Sequence, residues 1–222
     1  MAASWTKSTW TGWSVMTFLA IAVAGYGAVA AFLSLDGSLP SMTHHIPERA
    51  TAAALHFGIG GLALILGPWQ FLPALRRKVP VVHRWVGRLY VLSCLVSGCA
   101  ALVLSRQTIT GLDSQIGFVL LATLWLITTL IGWKRARDRD FVAHRQWMIR
   151  SFALTLAAVT LRFYLPLSQV LEIPFQVAYP IISYACWVPN ILVAEWMIRR
   201  TSVKHGNDDR DRQHKQYQPA DQ

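Results

Sequence analysis

Apolar side chains along this chain gather in six long runs, at about 14–35, 50–72, 83–105, 115–133, 147–170 and 175–197, joined by short polar segments. A bilayer core about 30 Å thick needs roughly 20 apolar residues per helix, and each run supplies them. The pattern predicts an all-α fold, a six-helix transmembrane bundle whose short connections set neighbouring helices antiparallel. Residues 1–13 form an N-terminal segment, 14–200 the transmembrane domain, and 201–222 a polar tail of mixed charge that is expected to be disordered. No soluble domain is expected. Ala28 and Ala30 resemble a signal-peptide cleavage site, but a run of about 22 residues exceeds the usual signal core of about 7–15, so the first run is expected to remain as helix one.

Charge gives this pattern an orientation. The chain carries 21 Lys and Arg against 11 Asp and Glu, a net charge of +10, with 54% hydrophobic and only 14% charged residues. Such a balance invites a nucleic-acid partner, yet the cations sit in short clusters between apolar runs, which is topogenic placement. No nucleic-acid partner is expected; the lipid bilayer is. If the N-terminus is cytoplasmic, Lys7, the Arg76–Arg88 group, the Lys134–Arg150 group and the tail put 18 of the 21 cations on that side, leaving Arg49, Arg106 and Arg162. Both termini are therefore expected in the cytoplasm and the protein in a bacterial inner membrane. Trp69, Trp85, Trp133, Trp147 and Trp196 fall at the same helix ends, as interfacial indoles should. Cys94, Cys99 and Cys186 lie inside apolar runs and make no CxxC pair, so they read as small buried side chains.

Ionisable groups within a membrane are costly, which makes each a candidate for function. The inner group rests on a repeated phrase. Helix three opens His83-Arg84-Trp85-Val86-Gly87-Arg88-Leu89-Tyr90, and helix five is entered through His144-Arg145-Gln146-Trp147-Met148-Ile149-Arg150-Ser151-Phe152. Both helices run in the same direction, so the two histidines share a depth. His83, Gly87, Val91, Cys94 and Gly98 lie on one face of helix three; His144, Met148, Ser151, Thr155, Ala158 and Arg162 lie on one face of helix five. Small residues beneath two facing imidazoles would admit a haem b whose iron takes both as axial ligands. Arg84, Arg88, Arg145 and Arg150 would then meet the propionates, although Arg150 is about 120° off the His144 face. Two other readings stay open: a different redox or quinone site, or interfacial charge over small residues that merely pack helices.

The outer group is His56 on helix two and Arg162 on helix five, each roughly 9 Å below the outer surface. An arginine at that depth needs an anionic partner, carbonyls or a water cavity, so Arg162 marks either a ligand cavity or a clamp on backbone carbonyls. His56 shares a face with Gly60 and Gly67. His44 and His45, with Asp36 and Glu48 on the first outer loop, offer copper or zinc ligands alongside His56, or adjacent histidines with no such role. Glu195 is expected to pair with an inner arginine, and Pro180, Pro189 and Asn190 to distort helix six. His205 and His214 in the tail are expected to be solvated. There is no Ser-His-Asp order, HExxH or GxxxxGK[ST], so a hydrolase or an ATP-driven pump has no support.

The phrases His56-Phe57-Gly58, Gly67-Pro68-Trp69-Gln70-Phe71, His83 to Tyr90, His144 to Ser151 and Thr160-Leu161-Arg162 resemble a bacterial membrane-protein family, domain of unknown function 2306, over about residues 50–195. That resemblance implies a polytopic membrane protein and supplies no activity. A looser similarity is to six-helix haem proteins of the cytochrome b561 type, which pair histidines on helices two and four and on helices three and five. Helix four here has no histidine, so the resemblance implies one haem, between helices three and five, and no two-haem path across the membrane. The expected reading is a b-type haem at His83 and His144, with an outer pocket at His56 and Arg162 for a quinone or a small anionic or carbonyl ligand. The alternative is a haem-free transporter or sensor that binds a small solute in a cavity around Arg162.

Overall fold

The computed structural model describes residues 7–36, 49–106, 108 and 110–201, and among them the backbone is helix and turn with no strand. Six helices are long and apolar enough to cross a membrane: helix one Thr9–Leu33, helix two Ala50–Gln70, helix three Pro80–Ser105, helix four Leu112–Arg137, helix five Phe141–Val170 and helix six Phe175–Thr201. The chain is a multi-pass integral membrane protein. Large apolar side chains such as Phe18, Phe32, Phe163 and Ile181 face outward, which only a lipid surround tolerates. Helix one packs on helix two, two on three, three on four, and four on five and six; helix five also reaches helix one. Helices three and five are not packing neighbours. They face one another across the bundle, bridged by side chains.

Helices three and five begin earlier than the apolar runs suggest, each for a local reason. Pro80 starts helix three with a preset φ in the first turn, where its missing N–H costs nothing. Helix four ends with Arg139 in the left-handed region (φ 61°), closed by Arg139 N–H to Ala136 O and Asp140 N–H to Arg135 O. Asp140 then caps helix five, accepting from the Ala143 N–H at 3.1 Å. Two helices thus turn back on each other within four residues, and His83 and His144 each become the fourth residue of their helix.

Three helices are interrupted, and the interruptions set side-chain directions. Helix two contains a π-turn over Leu55–Ile59, and the Ser97 hydroxyl donates to His56 O at 3.0 Å there, satisfying a carbonyl the wide turn leaves open. Helix six breaks at Cys186 and Trp187 and resumes over 188–201, the expected effect of Pro189, which cannot donate to the ladder. Helix five is interrupted at Leu156, between Phe141–Thr155 and Ala157–Val170. The lower half of helix five lies against helix four, while the upper half reaches helices one and six.

At mid-height the core is aromatic and hydroxyl-bearing. Tyr90, Cys94, Trp125, Phe152, Cys186 and Trp187 are buried together. The Tyr90 hydroxyl lies 3.0 Å from Ser151 Oγ and 2.9 Å from Thr155 Oγ1, and Trp125 Nε1 donates to Thr155 Oγ1 at 2.9 Å. Thr129 Oγ1 joins Ser151 Oγ at 2.7 Å. Buried polar groups away from water must be paired, and here they tie helices three, four and five into one knot.

Candidate functional site

The two imidazoles of the inner group stand on the basic end of the bundle, below this knot. His144 Nδ1 lies 2.8 Å from the Gly132 carbonyl, which can only accept. Nδ1 therefore carries a proton, and a neutral ring in this orientation has its lone pair on Nε2, as a carbonyl-oriented metal ligand does. His83 is half-buried, within electrostatic reach of His144, Arg76 and Arg84, and its Nδ1 is shut off from solvent without a hydrogen-bond partner. Gln70 Nε2 is likewise buried and unpartnered. Gly87, one turn beyond His83, faces this amide: a methyl there would come 3.2 Å from Gln70 Oε1. Two unanswered polar atoms thus lie within about one turn of each other on adjoining helices.

The surrounding charge is positive and partly unexpected. Arg76, on the short helix Pro73–Lys78 that joins helices two and three, is half-buried; burial and then the nearby Arg145 and Arg77 guanidinium groups pull it below the usual arginine value. In the sequence Arg76 belongs with the topogenic charge, and Gln70 carries no evident role. The available signal was their position just before helix three, where a tight connection returns them to His83. Arg84, Arg88 and Arg145 are exposed, with Arg88 over the Trp85 ring at 4.8 Å. Arg150 is withdrawn from this group. Its Nε donates to Glu195 Oε1 at 2.5 Å and its Nη2 to Oε2 at 2.9 Å, while its guanidinium lies over Trp147 at 4.7 Å. Glu195 thus has the arginine partner expected of it. The small-residue faces are also mostly occupied: Gly98 abuts Leu126 and Trp125, and Gly132 abuts Met148. On helix three, Gly87 borders the imidazole end.

At the opposite end, the π-turn aims His56 at helix three. Its Nδ1 lies 3.2 Å from Ser97 O and 3.1 Å from Ser97 Oγ. The one Ser97 hydroxyl proton goes to His56 O, so Nδ1 is the donor here and Nε2 is left as an acceptor. Arg162 is within electrostatic reach of His56. Its Nη1 donates to Ala158 O at 3.1 Å, and its guanidinium lies over the Tyr26 ring of helix one at 4.8 Å. Its Nε is buried with no partner. Both sequence expectations for Arg162 thus have a part: one nitrogen clamps a carbonyl, and another is unanswered. His44, His45 and Glu48 fall outside the described residues, as do His205 and His214; among the described residues no three His, Cys, Asp or Glu gather as a metal site.

A family described as predicted membrane protein (DUF2306) matches residues 53–198. The chain belongs to this family. The DUF2306 match takes in His56, Gln70, Arg76, His83, His144 and Arg162, and leaves helix one, with Tyr26, outside it. No curated protein and no solved structure matches the chain. The likeness to cytochrome b561-type proteins therefore rests on histidine placement alone.

Proposed function

We propose that this DUF2306 member holds one haem b at the basic end of its bundle, between His83 and His144, and serves electron transfer or interacts with a quinone. The observation that carries the reading is the imidazole pair. Two rings at one depth stand on helices that face each other across the bundle, one with its Nε2 left free by the Gly132 carbonyl, the other with a buried nitrogen lacking any partner. A bis-histidine iron needs only these two donors, and its propionates would meet Arg76, Arg84 and Arg145. Haem, when bound, supplies a one-electron couple. The chain's own part is to fix the ring tautomers and balance the propionate charge. Protein made under haem-replete conditions and reduced with dithionite should give a b-type α-band, lost in His83→Ala and in His144→Ala. Wild-type protein that purifies without stoichiometric haem would overturn the reading.

The basic end is assigned to the cytoplasm of a bacterial inner membrane, supported by the bias of Lys and Arg to one side. A reporter fused after residue 200 should be active as a cytoplasmic fusion, and one inserted near Ser41 as a periplasmic one. A periplasmic C-terminus contradicts the assignment.

A second reading, a haem-free transporter or sensor with its solute at Arg162, is favoured by a different observation. Among the described residues no carboxylate reaches this guanidinium, although it lies well within the membrane span.

A further inference from the structure

Among the described residues three carboxylates stand at the basic end of the bundle, and each is already taken. Asp138 is held by Lys134 at 2.6 Å, Asp140 by Arg135 at 3.5 Å, and Glu195 by Arg150. None reaches Arg76, Arg77, Arg84 or Arg145. Arg76 is the most crowded of these. It is half-buried on the short helix Pro73–Lys78, within electrostatic reach of both Arg77 and Arg145. His83 lies within the same reach of Arg76 and Arg84, so the cluster extends to helix three. Like charges gathered partly out of water, with no counter-ion, carry a cost that a bound anion removes.

Depth and surroundings say which anion. Trp69 and Trp85 flank Arg76 along the chain, and Trp147 follows Arg145 by two residues. The cluster therefore sits in the belt of interfacial indoles, at the level of lipid head groups. Beside it rises an outward face of helix three. Val81, Trp85, Arg88 and Leu92 recur there at steps of four and three, Arg84 stands next to Trp85, and all five are exposed. From Arg84 to Leu92 this face climbs about 12 Å toward the middle of the bilayer. A soluble phosphate would meet only the guanidinium groups. A phospholipid would meet them and also lay an acyl chain over the indole and the leucine. Basic pockets between membrane helices take anionic head groups in this way, and a guanidinium fork grips two phosphate oxygens at once.

We propose that Arg76 and Arg145, with Arg84 at their edge, form a site for the phosphate of an anionic phospholipid in the leaflet at the basic end, its acyl chain rising along the exposed face of helix three. The inference goes beyond the haem reading: propionates would call on the same guanidinium groups, but the lipid needs neither imidazole.

The full chain in detergent micelles, titrated with phosphatidylglycerol whose acyl chains carry bromine, tests it, because bromine beside Trp85 quenches indole fluorescence. Wild type should show saturable quenching, and brominated phosphatidylcholine should bind far more weakly. Arg76→Gln combined with Arg145→Gln should weaken phosphatidylglycerol binding about tenfold or more. Arg199→Gln combined with Arg200→Gln removes the same charge from the same end, on helix six, and should leave the affinity unchanged. Monodispersity and a melting temperature no lower than wild type confirm that the variants fold. Arg145 is exposed, so Arg145→Gln alone, with an expected loss of about fivefold, carries the test if the double variant does not fold. His83→Ala, which removes an iron ligand on the haem reading, should bind the lipid at least as tightly as wild type, so the two readings fail separately. If both double variants weaken binding equally, the attraction is diffuse and the site is overturned. Equal affinity for phosphatidylcholine overturns the anion. Glycerol phosphate that displaces the lipid at equal concentration overturns the lipid in favour of a soluble phosphate.

Discussion

Glu195→Gln is expected to lower the stability of the bundle by about 2–3 kcal/mol, read as a lower midpoint in a detergent-denaturation titration. Removing one member of a buried ion pair leaves the other charge without compensation, which costs about 3–5 kcal/mol when both are fully dry. Here the Arg150 and Glu195 side chains keep 18% and 32% of their surface, so solvent relieves part of the cost. The pair ties the lower half of helix five to the last turns of helix six, after that helix has broken at Cys186 and Trp187. Arg150→Met combined with Glu195→Leu removes both charges together and should recover most of the loss, since apolar replacements of similar size are often neutral. A single Glu195→Gln variant as stable as wild type would show that the pair does not hold these helices.

Gly67→Ala should be at least as damaging, for a steric reason. A methyl at Gly67 would lie inside the contact distance of the Phe152 ring. That ring has little freedom to retreat: it packs on Phe71 at 5.2 Å and on Tyr90 at 6.4 Å between centroids, and Tyr90 is held by two hydroxyls. Overpacking typically costs about 1–3 kcal/mol, and this site stands at the upper end because the neighbours are rings. Phe152→Leu should partly rescue Gly67→Ala while destabilising the wild-type background. Equal melting temperatures for wild type and Gly67→Ala would mean that helix two stands farther from helix five than described.

The number of membrane helices was legible because a bilayer demands length and apolarity, and both are written residue by residue; the starts of helices three and five were not, because Pro80 and the Asp140 cap set them outside the apolar runs. His83 and His144 come within electrostatic reach of each other, and counting along two helices that run the same way is enough to place them at one end of the bundle. Gln70 and Arg76 were not, because their place beside His83 depends on how the Pro73–Lys78 turn returns the chain. The partner of Arg150 could be guessed from Glu195, the acidic residue near the basic end of helix six, but not its two-point grip. The partners of Arg162 were not legible, because the carbonyl and the ring that a guanidinium meets depend on how helix one packs against the half of helix five beyond Leu156. The small residues of helices three and five were ambiguous because close helix packing and cofactor room require the same side chains.

The π-turn at Leu55–Ile59 makes the aim of one ring a matter of arithmetic. An α-helix advances about 100° per residue, so one residue more or fewer in this turn swings everything before it by that angle relative to everything after. His56 meets Ser97 because the count is right, with Gly27 of helix one close enough that a methyl there would come 2.9 Å from Phe57 O. A regular helix gains such an alignment by inserting a residue and loses it by deleting one; no exchange of side chains does either. Two chains with the same residue types along helix two can therefore differ in whether this imidazole meets helix three at all.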